Sequence, residues 1–256
     1  MNTTSTTKPL TYFSKPEHVF CWHYHRLSEE KQKLYRKLAE GIFTFRPTIT
    51  FWLTAPDTID EIYQKMKLDL PASFFDTGLE MVWNPLLQFV RVRPQYRFPR
   101  EDAENILAAI QTRMEPLLNQ CRGRTDLEKE TIIHDWFMEN VENVVYDHQY
   151  AQKMGGSSFE MAAPLLWGRG VCSGISKAAK FLFDQVGIQS LLLLGRTSST
   201  AGNPGEDHCW LIVKINQPGQ AAPQKYHLDL TFDMTTRSKR YFNLSDQEIL
   251  ADRILI

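Results

Sequence analysis

Residues 168–232 constrain the fold more than any other part of this 256-residue chain. They open on GRGVCSGISKAAKFLFDQVG, whose apolar residues recur at helical spacing and whose final glycine, Gly187, is suited to end a helix. Three apolar runs typical of strands follow at 189–195, 208–215 and 225–232, separated by turn-forming loops. The sequence therefore predicts one amphipathic helix followed by three strands.

The first half of the chain alternates predicted helices and strands. Ser28 is placed as the N-cap of one helix, and Thr58 heads a capping box for a second helix that should end before Pro71. Residues 79–98 read as strands in which two prolines mark edges or breaks. A further predicted helix begins after this segment.

The segment CRGRTD is the predicted domain boundary, because it combines glycine with charge. Residues 1–12 are rich in threonine, and we expect this N-terminal segment to be poorly ordered. We therefore expect an N-terminal α/β accessory domain at 13–122 and a second domain at 123–256.

The composition is that of an ordinary globular protein, with 43% apolar and 23% charged residues. The net charge of −1 at pH 7 gives no overall attraction to nucleic acid or to an anionic membrane, so neither is an expected partner. The polar N-terminus has no apolar core of a secretion signal, and no run of 18 apolar residues occurs. We expect a cytoplasmic location, or an exported form if a leader once preceded Met1.

The four cysteines form no C-x-x-C pair, which argues against a disulfide scaffold and a zinc ribbon and favours reduced thiols. Cys21, His23 and His25 would share one face of a strand, but no fourth metal ligand is evident, so we expect no metal site.

Three residues suggest chemistry. Cys172 opens the predicted helix, where the helix dipole favours a thiolate, and Gly170 and Gly174 leave room for a substrate backbone. His208 begins a strand, and Asp229 lies within an apolar strand, where a carboxylate needs a partner. Such a trio can transfer the thiol proton to the imidazole and attack a carbonyl to give a thioester. The residues alone also allow Cys172 to be a buried core residue.

The motifs around these residues resemble those of the transglutaminase-like superfamily. Its G-x-C-x-G helix start, H-x-W strand and D-x-T strand are matched in order by Gly170-Val171-Cys172-Ser173-Gly174, His208-Cys209-Trp210 and Asp229-Leu230-Thr231. The resemblance covers roughly residues 125–235 and implies an α+β fold with a papain-like core, in which the cysteine helix packs on an antiparallel sheet. The first half resembles, more loosely, the N-terminal region of bacterial exported members.

The resemblance also implies roles. Cys172 would be the nucleophile, His208 the general base and acid, and Asp229 the residue that orients the imidazole. Substrate-binding positions would be Gly170, Gly174, Trp167 and Trp210. The backbone amide of Cys172 would stabilise an oxyanion together with a second donor, for which Trp167 and His148 are candidates.

The implied activity is acyl transfer on peptide or protein amides, with hydrolysis by a protease or deamidase favoured over crosslinking to an amine. A catalytically silent peptide-binding module with the same fold is the alternative. No cofactor is implied, and no acidic calcium loop is visible. The oligomeric state stays open.

Other polar residues have simpler interpretations. Strand alternation directs Cys209 away from the cleft, which makes it a core residue and argues against a redox pair with Cys172. Asp233 would share the face of Asp229 at the strand end, and His227 is expected at the surface. We expect His134 to lie in a helix with its ring nitrogens hydrogen-bonded, and we interpret TTRSKRYF as a solvent-exposed basic patch.

Overall fold

The computed structural model describes residues 7–144, 157–198, 205–217 and 219–255, and it divides into two compact units, Met1–Thr112 and Arg113–Ile256. The division falls inside a long helix rather than at the CRGRTD turn. Within the described ranges, every helix falls short of the length or apolar character that crossing a bilayer requires.

The first unit combines helices with a three-stranded antiparallel sheet in the order β1-β3-β2. Its elements are α1 (Glu29–Phe43), β1 (Ile49–Trp52), α2 (Pro56–Asp69), β2 (Asp76–Asn84), β3 (Phe89–Tyr96) and α3 (Arg100–Gln120), the last continuing past the division. Short 3₁₀ turns cover Leu10–Tyr12, Tyr24–Arg26 and Pro71–Ser73.

Two details of the first unit differ from the sequence prediction. The second helix begins at Pro56, because proline has a preset φ and needs no N–H bond at a first helical position, so Thr58 lies inside the helix rather than at its cap. Pro94 lies within β3 rather than breaking it; β1 pairs only as far as Val92, which leaves β3 an edge strand beyond that point. The predicted cap at Ser28 is confirmed, since its side chain accepts the N–H of Lys31.

The segment that carries Cys21, His23 and His25 forms turns and a 3₁₀ helix instead of a strand, so these residues do not share a strand face. Among the residues that the structure describes, no group of three or more His, Cys, Asp or Glu side chains is placed to hold a metal ion.

The second unit packs helices on a five-stranded antiparallel sheet in the order β10-β6-β7-β8-β9. Its strands are β4 (Glu142–Asn143), β5 (Arg169–Gly170), β6 (Gln189–Thr197), β7 (Asp207–Ile215), β8 (Gln224–Leu228), β9 (Phe242–Leu244) and β10 (Arg253–Leu255), and β4 and β5 form a separate parallel pair. Its helices are α4 (Asp126–Asn140), α5 (Ala162–Trp167), α6 (Cys172–Val186), α7 (Leu230–Thr236) and α8 (Asp246–Ile249), with a 3₁₀ turn at Ser157–Phe159.

Helix α6 is the centre of this unit. Its apolar stripe, which includes Ile175, Leu182 and Phe183, is fully buried, and the helix packs on β6 and β7. Gly187 ends it in the left-handed conformation, with φ of 79°. The prediction of an α+β fold in which the Cys172 helix packs on an antiparallel sheet is thus confirmed.

The third predicted strand is too long. Strand β8 ends at Leu228, and Asp229 instead caps α7, because its Oδ1 accepts the N–H of Phe232 at 3.2 Å. Asp229 is therefore the N-cap of α7, and Asp233 lies within the helix. The strand alternation that would place both residues on one face does not apply.

Candidate active site

Cys172 is the first residue of α6, and its side chain is half-exposed. The first N–H groups of a helix have no intrahelical partner, and they form the positive end of its dipole. The preceding residue, Val171, supplies no side-chain cap for them. The sulfur therefore lies beside backbone donors that can stabilise negative charge.

The two glycines around Cys172 serve packing rather than substrate access. A Cβ on Gly174 would overlap the backbone carbonyl oxygen of Ser158, and one on Gly170 would press on the ring of Pro164 at 3.3 Å. Both glycines are buried. The expectation that they leave room for a substrate is therefore wrong at Gly174, where the space holds the chain that precedes the helix.

The Gly174→Ala variant should consequently lose about 2 kcal/mol of unfolding free energy, since a backbone carbonyl cannot move aside as a flexible side chain can. Chemical denaturation followed by circular dichroism measures this loss. Ser173→Ala, which changes the neighbouring position without adding volume, is the matched control and should shift the midpoint little. Equal midpoints for Gly174→Ala and the wild type would contradict the packing described here.

His208 lies at the start of β7, where it pairs with Gly195 of β6. Its Nε2 forms a 2.8 Å hydrogen bond with Oδ2 of Asp229, and the Cys172 side chain is near enough to its ring to help raise the pKa of the imidazole. Since Nε2 is engaged by Asp229, Nδ1 is the nitrogen that remains for the sulfur. The structure thus brings the three predicted residues together in the order Cys172, His208, Asp229.

The imidazole of His208 has a raised pKa. Burial acts to lower this pKa, but the hydrogen bonds and charges of Asp229 and Cys172 outweigh burial and raise it from 6.5 to about 9. The arrangement therefore favours the imidazolium form over a wide pH range. An imidazolium beside a thiol stabilises the thiolate.

Asp229 is almost fully buried, at 1% exposure, yet its carboxylate is well satisfied. Its Oδ1 caps α7, while its Oδ2 accepts from His208 and, at 2.9 Å, from a terminal guanidinium nitrogen of Arg253. Its backbone N–H donates to the carbonyl of Tyr241. These bonds fix the carboxylate from several sides, which suits a residue that must orient an imidazole.

Arg253 was not found from the sequence. It lies in β10, which pairs with the C-terminal end of β6. Its contact with Asp229 therefore depends on how β10 pairs with a strand that is distant in sequence. The only local signal is a basic residue beginning the short apolar run RIL. Such a pattern is common at strand ends and indicates no partner.

Trp210 is fully buried, and its role in binding substrate stays a prediction. Its ring stacks on His208, with centroids 5.9 Å apart and an interplanar angle of 16°. Its indole N–H donates to Nδ1 of His227 at 3.0 Å, so Nε2 of His227 carries the proton that is donated to Asp246.

We expected His227 at the surface, but the structure places it in the interior, with 3% of the residue exposed.

Trp167 ends α5 and is 45% exposed, so its side chain is available for contact with a ligand. Its role in binding substrate or an oxyanion remains a prediction. His148, the other candidate oxyanion donor, lies outside the described residues.

Cys209 is buried at 3% exposure, as strand alternation predicts. Burial, with the charge of Cys172, raises the pKa of its thiol to about 12, so it remains protonated at neutral pH. Its carbonyl accepts the Ser176 hydroxyl at 3.0 Å, which ties α6 to β7 next to His208. Cys172 and Cys209 are both free thiols.

A second histidine–aspartate pair lies in the same unit. Nε2 of His134 contacts Oδ2 of Asp233 at 3.1 Å, and its Nδ1 contacts Asp135 at 2.9 Å. His134 is thus a satisfied helical histidine, as predicted, and Asp233 also accepts the N–H of Tyr241. This pair joins α4 to α7 and contacts neither Cys172 nor His208.

The basic residues of TTRSKRYF are exposed, and Lys239 pairs with Asp135.

No protein-family model and no curated protein match this chain. Three solved structures are similar to parts of it. They are a protein of Cytophaga hutchinsonii provisionally named a cysteine protease (17% identity, TM-score 0.33), a protein of Parabacteroides distasonis provisionally named a protease (13%, TM-score 0.30), and a TGase (10%, TM-score 0.34). The matches cover 60%, 60% and 81% of this chain but only 61%, 39% and 55% of those proteins.

Proposed function

We propose that this chain is an enzyme that transfers acyl groups from peptide or protein amides through a thioester on Cys172. The observation that carries the proposal is the placement of Cys172 at the start of a helix beside the ring of His208, whose Nε2 bonds Asp229. A sulfur nucleophile, a base and a group that orients the base are the components that nucleophilic acyl transfer needs.

The steps follow from this geometry. Nδ1 of His208 takes the thiol proton, and the sulfur of Cys172 bonds to the amide carbon. The backbone N–H of Cys172 stabilises the oxyanion that forms. When the C–N bond breaks, His208 returns its proton to the leaving amine, and a thioester remains. Water then attacks the thioester while His208 accepts its proton, which releases the acid and restores the thiol.

We further propose that water is the usual acceptor, so that the reaction is hydrolysis by a protease or deamidase. A primary amine in place of water would give a crosslinking transglutaminase, and the outcome depends on how well the bound acyl group is shielded from water. The second candidate is a silent module that binds peptides. Retention of all three residues, with His208 lying between Cys172 and Asp229, favours the enzyme.

Peptide mass spectrometry separates these outcomes. A mixture of glutamine- and asparagine-containing peptides is incubated with the protein, with and without a primary amine, and compared with the Cys172→Ala variant. Conversion of side-chain amides to acids indicates a deamidase, new termini indicate a protease, and amine adducts indicate a transglutaminase. Retention of peptides by both proteins with no chemical change would support the binding module and contradict the enzyme.

The pH dependence of kcat/KM provides a separate prediction. The leaving amine needs the proton of the His208 imidazolium, which persists because the pKa of His208 is raised from 6.5 to about 9. Activity should therefore hold above neutrality and fall as the pH rises through about 9. A fall centred near 6.5, the value of an unperturbed histidine, would contradict the environment described for His208.

A further inference from the structure

Arg253 is bound to the carboxylate of the trio in a buried position. Its exposure is 2%, and one terminal nitrogen lies 2.9 Å from Oδ2 of Asp229, the same oxygen that His208 bonds. The other terminal nitrogen bonds the backbone carbonyl and the Oδ1 of Asp252, at 3.0 and 2.8 Å. The guanidinium therefore bridges the carboxylate of Asp229 and the chain that leads into β10.

Aromatic rings hold the same guanidinium from its faces. Its central carbon lies 3.8 Å from the ring centroid of Phe232 and 5.0 Å from that of Tyr241. Phe232 also meets His208 edge to face, at 5.1 Å between centroids. A planar cation stacked in this way keeps its orientation, which a lysine ammonium would not reproduce.

A buried carboxylate is stable only while it has charged or donor partners. His208 is a cation only while it carries the extra proton, and in the proposed cycle it releases that proton to the leaving amine. Arginine stays charged throughout. When His208 is neutral, Arg253 is the one cation in contact with Asp229 within the described parts of the chain.

We infer that Arg253 is a positioning residue of this site: it holds the Asp229 carboxylate in place while His208 is neutral, and it limits how strongly Asp229 favours the imidazolium. The inference rests on the proposed function for its place in the cycle. It adds a fourth member, from the last strand, to the trio that the motifs define.

The charged groups that face this network set the sign of the effect. Asp229 and Cys172 interact with His208, and the uncharged rings of Trp210 and Phe232 flank it. The Asp252 carboxylate bonds Arg253 and accepts the hydroxyl of Tyr241 instead of bonding His208. Without the arginine, the whole charge of Asp229 would act on His208, and the imidazolium would be more stable. Loss of Arg253 should therefore raise the pKa of His208, whereas loss of the Asp229 charge should lower it.

The test is an NMR titration of the His208 imidazole in protein labelled at histidine, which needs no turnover. Arg253→Met keeps much of the side-chain volume and removes the charge, and Arg253→Lys restores a charge without the planar fork. Arg196→Met is the matched control, because Arg196 lies on the neighbouring strand and pairs with Asp207 instead of Asp229. Thermal unfolding of each variant verifies that it is folded.

We expect the titration of His208 to move to higher pH in Arg253→Met, to return toward the wild type in Arg253→Lys and to stay in place in Arg196→Met. Single-turnover acylation should fall about tenfold in Arg253→Met. A His208 titration unchanged in Arg253→Met, or moved to lower pH, would overturn the inference. If Arg253→Met does not fold, Arg253→Gln removes the charge in its place, and a His208 titration that is unchanged in this variant would overturn the inference instead. A protein without any amide turnover would refute the proposed function but leave the titration result valid.

Discussion

The Cys172→Ala variant should lose amide turnover by a factor on the order of 10⁴ or more, because no other atom can form the thioester bond. Its fold should persist, since the Cys172 side chain is partly exposed at the first position of α6. Turnover of a peptide substrate and circular dichroism measure the two properties on the same sample.

Cys121→Ala is the matched control for this variant. It removes a thiol that is buried in the same unit, at 2% exposure, and that makes no contact with the trio in the structure. Turnover should then be close to that of the wild type, with stability reduced. Full activity in Cys172→Ala would show that Cys172 is not the nucleophile, whatever the control gives.

The Asp229→Asn variant should have the next largest effect, a loss of roughly 10³- to 10⁴-fold in kcat. An amide cannot stabilise the imidazolium, so the pKa of His208 should drop from about 9 toward its usual value, and the basic limb of the activity profile should follow it. The buried guanidinium of Arg253 would also lose one of its two carboxylate partners, which should cost about 3 kcal/mol of stability. Steady-state kinetics over a pH range and thermal unfolding measure these effects.

Asp246→Asn serves as the comparison for Asp229→Asn. Asp246 also accepts a hydrogen bond from a histidine, His227, but its side chain is 84% exposed and it lies outside the trio. Its replacement should change activity little. If the two variants lose similar activity, then Asp229 is no more than one of several structural carboxylates.

Local sequence signals predicted the elements that position the site. The helix at Cys172 has a strong apolar stripe and a terminal glycine, and the strand at His208 is a continuous apolar run, so both could be recognised within a short window. The N-cap at Ser28 was an equally local signal and is present in the structure.

Features that depend on tertiary contacts were missed. The first three residues of α7 read as a continuation of the preceding strand, which the cap at Asp229 ends in the structure. The packing of Ser158 against Gly174 joins separate segments, and so does the contact between Arg253 and Asp229. Trp210 follows the inward alternation of its strand, but its stacking on His208 and its bond to His227 depend on the neighbouring strand.

The measurement that tests the central claim most directly is the pH dependence of iodoacetamide alkylation, resolved for each cysteine by mass spectrometry of the native protein. Cys172 should react rapidly well below pH 8, and His208→Ala should remove this reactivity, because the imidazolium stabilises the thiolate. Cys121 and Cys209 are internal controls that should stay unreactive, since burial raises the pKa of both thiols. A Cys172 that is inert, or that reacts only near pH 8.5 as a free thiol does, would contradict the proposed pair of thiolate and imidazolium.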